Sequence, residues 1–121
     1  MQTETQCPQV TDLPIWDKQG MLARLMDDQD LAKIITETFL TDIPQQIQAL
    51  KLLVDAGDIL GSERKAHTIK GASALVGGEQ LRFVAFEMEK AFKSKDFNTA
   101  DARVTELETR FAQLREVLTT I

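Results

Sequence analysis

The sequence predicts an all-α fold: an antiparallel up-down four-helix bundle with an additional short N-terminal helix. Three observations carry that prediction. Apolar residues recur every three or four positions through most of the chain, and strand-like alternation is scarce. Only three prolines and six glycines punctuate the 121 residues, with Gly57 and the Gly77-Gly78 pair standing between periodic segments, where helices stop. The connections are short, and short connections between amphipathic helices favour antiparallel neighbours.

The elements follow in order. Residues 1–12 are polar, carry no apolar period and read as a tail or linker, leaving 13–121 as the domain. Leu13, Ile15 and Trp16 lead into a short helix from about Asp17, with Met21, Leu22, Leu25 and Met26 as its apolar face. Asp28 or Asp30 caps a longer helix in which Leu31, Ile34, Ile35, Phe39, Ile43, Ile47, Leu50 and Val54 recur at helical spacing. Pro44 lies inside that pattern, where it removes one backbone hydrogen bond and bends the helix unless the helix breaks outright. Gly57 followed by Asp58 is a stop and a fresh N-cap, and Gly77-Gly78 ends the next helix in the same way. Leu81, Val84, Ala85, Met88 and Phe92 mark the following helix, and Phe97, Val104, Leu107, Phe111, Leu114 and Leu118 the last. That last series nears a heptad, but over only about three repeats and beside comparable partners, so it belongs to a bundle rather than a coiled coil.

Composition bounds the function. Hydrophobic residues at 43% and charged residues at 27% describe one ordinary globular domain with one core. A net charge of −5 argues against a general nucleic-acid binder, which needs a basic surface to displace counterions. No apolar run approaches the ~20 residues of a membrane span, and Met1-Gln2-Thr3-Glu4 has no signal-peptide form, so cytoplasmic residence away from a membrane is expected. Cys7 is the single cysteine, so no internal disulfide is possible.

The single histidine, His67, is the residue of interest. With residues 58–76 placed on a helix at roughly 100° per residue, Ile59, Ser62, Ala66, Ile69, Ala72, Ser73 and Val76 share a packing face. His67 points the other way, with Leu60, Glu63, Arg64, Lys70, Gly71 and Ala74. Lys70 is one turn on, so its ammonium can approach whatever the imidazole carries. Gly71 has no side chain to shield the ring, and a mid-helix glycine, about 0.5–1 kcal/mol worse than alanine, invites that explanation. Neutral imidazole is a good nucleophile toward phosphorus, and Lys70 can offset charge on a transferred group. The patch is open and low-walled, which suits a protein partner better than a small substrate. Ser73 falls on the packing face, about 120° from His67 by the same wheel, so a serine hydrolase pairing fails. No G-x-x-x-x-G-K-[ST] loop and no metal-ligand spacing is found.

The string Ala66-His67-Thr68-Ile69-Lys70-Gly71-Ala72-Ser73, followed by Gly77, Leu81, Met88 and Glu89, resembles the histidine-containing phosphotransfer (HPt) domains of multistep phosphorelays. Ile69 and Met88 stand where that family carries leucines, and a weaker resemblance runs over 13–121, including Phe39-Leu40-x-Asp42-Ile43-Pro44. The resemblance implies a four-helix bundle whose exposed His67 exchanges phosphoryl groups with the aspartate of a response-regulator receiver domain, itself linked in some systems to a hybrid sensor histidine kinase. It also implies that the receiver brings the Mg²⁺, so that this chain needs no metal or cofactor of its own and works as a monomer. Carried onto Glu89, which the helical wheel puts at the edge of the core, it implies an acid that holds the His67 Nδ1 and leaves Nε2 free. An ordinary boundary glutamate paired with a lysine is the other reading of Glu89. Leu60, Glu63, Arg64 and Ala74 are then candidates for the receiver contact. Phe83 and Phe86 face away from the apolar stripe of their helix and are expected under the N-terminal helix with Trp16 or Met21, the alternative being that Phe86 joins Leu60 at the docking surface. Two other functions share the fold: the phosphoacceptor module of a chemotaxis-type or hybrid histidine kinase, and a helical docking scaffold that is never phosphorylated.

Overall fold

The computed structural model describes residues 9–120, and the readings that concern Cys7 and residues 1–8 lie outside them. Six α-helices follow a 3-10 turn at Val10–Asp12: α1 (Lys18–Arg24), α2 (Gln29–Asp55), α3 (Ile59–Val76), α4 (Glu79–Lys93), α5 (Phe97–Ala102) and α6 (Val104–Thr119). The bundle is formed by α2, α3, α4 and the α5–α6 pair, with α1 laid against α2 and α3 as the additional N-terminal helix. Aspartate opens four of the helices. Asp17, Asp28, Asp58 and Asp96 each accept a hydrogen bond from a backbone N–H three residues on, at 2.8–3.2 Å.

Four details differ from the sequence pattern. The last apolar series is split in two, because Arg103 N–H bonds back to Ala100 O and closes α5 before α6 begins. Helix α2 runs unbroken through Pro44, whose ring is exposed on the outer side of the rod. Met26 leaves the apolar face of α1: it lies past the helix end with φ 55°, so helical spacing no longer sets its direction, and it is exposed. Val10, inside the stretch read as tail, packs against the core from its 3-10 turn.

The core is one cluster, with Ile43, Leu50, Ile69, Leu81, Met88, Leu107 and Leu114 fully enclosed. Three devices lock the α3–α4 corner. Gly77 caps α3 in the left-handed region at φ 84°, and a side chain there would collide with the Asp17 carbonyl. Asp17 N–H donates to Gly77 O at 2.7 Å, and the Trp16 indole N–H to Val76 O at 2.9 Å. Two of the carbonyls left open at the end of α3 therefore find donors in the N-terminal segment. Buried Gln80 adds a tie from α4, donating to Leu13 O at 2.8 Å and accepting from Arg110 at 3.1 Å. The outcome is a fixed relation between α3 and α4, the two helices that carry the candidate site.

Candidate functional site

Helix α3 divides as its wheel requires. Ser62, Ala66, Ile69, Ser73 and Val76 are buried, Ile59 and Ala72 half-buried. Their small size lets α4 approach closely, and Ser73 spends its hydroxyl inside the helix, donating to Ile69 O at 2.7 Å. That bond and its burial separate Ser73 from any role with His67. On the opposite face the His67 side chain is 65% exposed.

Glu89 reaches across from α4 and organises that face. Its Oε2 lies 2.8 Å from His67 Nδ1, and its Oε1 lies 2.7 Å from Lys70 Nζ. Lys93, one turn further along α4, brings its Nζ to 3.5 Å from Oε2. The Glu89 side chain is only 6% exposed, deeper than the edge-of-core position expected from the wheel. Burial pushes this carboxyl up, but the hydrogen bonds and charges of Lys70 and His67 outweigh burial and hold it below its ordinary value of 4.5. The group is therefore ionised at neutral pH, and an ionised carboxylate can only accept. A hydrogen on Nδ1 satisfies the 2.8 Å contact, and the Nε2 lone pair is then left facing outward. The Lys70 contact is a short ion pair from the same face of α3. Both readings of Glu89 meet in one geometry, because the acid holds the imidazole and two lysines together.

Gly71 stands open: a Cβ built there meets nothing within 4 Å. By contrast, a Cβ at Gly78 would press into the Leu114 side chain. No packing demand in the described structure explains Gly71. Leu60 and Arg64 are exposed, Glu63 and Ala74 half-buried, so these four candidates flank the histidine without entering its hydrogen bonds. Phe86 corrects an expectation. It is not tucked under the N-terminal helix; its ring is partly exposed beside the histidine face, with Lys70 Nζ 5.5 Å and Lys90 Nζ 5.2 Å from its centroid. Phe83 is half-buried. Sequence reasoning missed Lys93 and the lysine pair on Phe86, although Glu89 and Lys93 stand four apart, a spacing that pairs charges on one helix face.

Two hollows lie elsewhere. One of about 520 Å³ is lined by α1, α2 and the end of α6, and one of about 210 Å³ by Ile35, Phe39, Ala72 and Leu75; His67 lines neither. His67 stands exposed outside both hollows, where a macromolecule reaches it more readily than a small ligand is held.

A family model described as the Hpt domain matches residues 35–117. The chain belongs to the Hpt domain family. Its histidine, Lys70, Gly71 and Glu89 all fall inside the matched span. Among individual relatives, the phosphorelay intermediate protein rdeA of Dictyostelium discoideum is 23% identical over 84 residues, which are 69% of this chain and 33% of rdeA. The chain thus spans about a third of that relative. Two solved structures share the fold. Histidine-containing phosphotransfer protein B of Pseudomonas aeruginosa PAO1 superposes with a TM-score of 0.83 at 23% identity, over 88% of this chain and 93% of the other. The HPT domain of a sensor hybrid histidine kinase from Shewanella gives 0.75 at 16% identity, over 93% and 94%.

Proposed function

We propose that this Hpt domain accepts a phosphoryl group on His67 Nε2 from the aspartyl phosphate of a receiver domain and passes it to a second receiver. The observation that carries the reading is the Glu89–His67 contact, which supports a hydrogen on Nδ1 and an exposed lone pair on Nε2. In the forward step Nε2 attacks phosphorus and the N–P bond forms. The acyl O–P bond breaks, and its electron pair leaves with the receiver's aspartate. The imidazole keeps its Nδ1 hydrogen and becomes a cation, which the Glu89 carboxylate stabilises across 2.8 Å. The reverse step returns the phosphoryl group with the same ring as leaving group. Lys70, one turn from His67, offsets charge on the group in transit, and Gly71 keeps the approach open.

The other parts of the reading follow from what the domain offers. Among the described residues no three His, Cys, Asp or Glu side chains cluster as metal ligands do, and the Mg²⁺ of the reaction is assigned to the receiver. The chain acts as a carrier without kinase activity of its own, partnered by response-regulator receivers and, in some pathways, a hybrid sensor kinase. Leu60, Glu63, Arg64 and Ala74 border the contact with the receiver. No described helix is long and apolar enough to cross a membrane. On this reading the domain works as a monomer in the cytoplasm, and its acidic charge fits a protein that does not engage nucleic acid.

The test is direct. Incubation with phosphorylated receivers should place acid-labile, base-stable phosphate on the wild-type chain and none on His67→Gln, while ATP alone labels neither. His67→Gln labelled at the wild-type level, or labelling of the wild type from ATP alone, refutes the reading.

A further inference from the structure

We infer that Lys93 is a positioning residue that takes over the Glu89 carboxylate when Lys70 turns to the phosphoryl group on His67. The inference rests on the carrier reading above and goes beyond it. Lys70 stands in two demands at once. In the unloaded domain its ammonium neutralises Oε1 of a nearly buried acid at 2.7 Å, yet it is also the cation one turn from the histidine. A phosphoryl group on Nε2 carries about two negative charges on its oxygens, and its pull on Lys70 competes with that of a single carboxylate. If Lys70 left with no replacement, Glu89 would keep the Nδ1–H of the charged ring at Oε2, but its Oε1 would lose its partner. Removing one partner from a buried ion pair is costly because the remaining charge stays desolvated.

Lys93 answers that demand by its placement. Its Nζ is already 3.5 Å from Oε2, but its side chain is 58% exposed, against 26% for Lys70. It contacts the same carboxylate oxygen that accepts from Nδ1, so it can neutralise Glu89 while the imidazole keeps its hydrogen bond. The Lys70–Oε1 contact at 2.7 Å is an ion pair, and its charge is what a second ammonium can restore. Phe86 eases the exchange, because its ring faces the Lys70 ammonium at 5.5 Å, a weak attraction that persists while the carboxylate contact is lost. Lys90 does not compete for the role: it is drawn to Glu87 at 3.0 Å.

A double-mutant cycle tests the exchange, using any phosphorylated receiver that loads the wild-type chain. Lys93→Met should slow transfer at saturating receiver about fivefold, the effect of about 1 kcal/mol in a transition state, with the half-saturating receiver concentration unchanged. Lys93→Arg should restore the rate. In a Glu89→Gln background the neutral amide needs no cation, so Lys93→Met should there be silent. Equal slowing in both backgrounds would mean that Lys93 meets the receiver itself and overturns the inference, as would a wild-type rate for Lys93→Met. A wild-type chain that no receiver loads sinks the carrier reading as well, whereas a normally loaded wild type beside a Lys93→Met of unchanged rate removes this inference alone.

Discussion

The two faces of α3 are held by different forces. Inward, Ala66 and Ile69 are completely enclosed and Ser62 and Ser73 fill the gaps, so position is set by packing. Outward, packing thins: Gly71 faces open space and His67 is mostly in solvent. What order exists there comes from one carboxylate on the neighbouring helix, within 2.7–3.5 Å of an imidazole and two ammonium groups. The core fixes how far α4 stands from α3, and that spacing lets a single buried acid hold the exposed His67 ring. The exposed face thus owes its geometry to buried residues behind it.

Perturbations of the two faces should therefore differ in kind, and the largest stability effect belongs inward. Ile69→Ala removes a fully buried side chain and should cost about 2–5 kcal/mol, read as a lower denaturation midpoint. A loss below about 1 kcal/mol would show that packing does not set the position of α3. Next comes Lys70→Met, which strips the nearer cation from a buried carboxylate. With His67 and Lys93 still present the loss should be smaller, about 1–3 kcal/mol, measured in the same denaturation experiment.

Acid sharpens the contrast. The folded Glu89 carboxyl sits below its ordinary value of 4.5, so its contribution to stability is complete above that pH and is lost as pH falls through the folded value. Glu89→Gln has no such group. The stability gap between wild type and Glu89→Gln should shrink on acidification, and a gap that holds constant or widens below pH 4.5 would contradict the network. The smallest effect is a gain. Gly71→Ala places a methyl where nothing lies within 4 Å and should stabilise the domain by about 0.5–1 kcal/mol. Gly71→Gln should keep most of that gain but weaken receiver binding, measured by titration, because it adds bulk beside His67.

Most of the bundle was legible because most helices announce themselves in residue chemistry. Asp17, Asp28 and Asp58 cap α1, α2 and α3, and glycines at φ 73° and 84° end α2 and α3. The division of α3 into two faces was legible for the same reason, since 3.6-residue periodicity fixes direction within one helix. Contacts between helices were not. The wheel of α4 marks Glu89 as a boundary residue, but its depth depends on how closely the small residues of α3 admit α4. Phe86 was misplaced because a wheel gives a direction without saying what lies in it, and here two lysines do. The break at Arg103 is a single backbone bond, Arg103 N–H to Ala100 O, that leaves the apolar period intact.

The central claim is that Glu89 holds the hydrogen on His67 Nδ1 and so directs chemistry to Nε2. The chain has one histidine, so a long-range ¹H–¹⁵N spectrum contains one imidazole to interpret. At neutral pH the wild type should show the Nδ1–H tautomer, with phosphorylation by a receiver shifting Nε2 alone, and Glu89→Ala should move the ratio toward the Nε2–H form. A wild-type ring that is mainly Nε2–H, a ratio unmoved by Glu89→Ala, or phosphorus bonded to Nδ1 would contradict it.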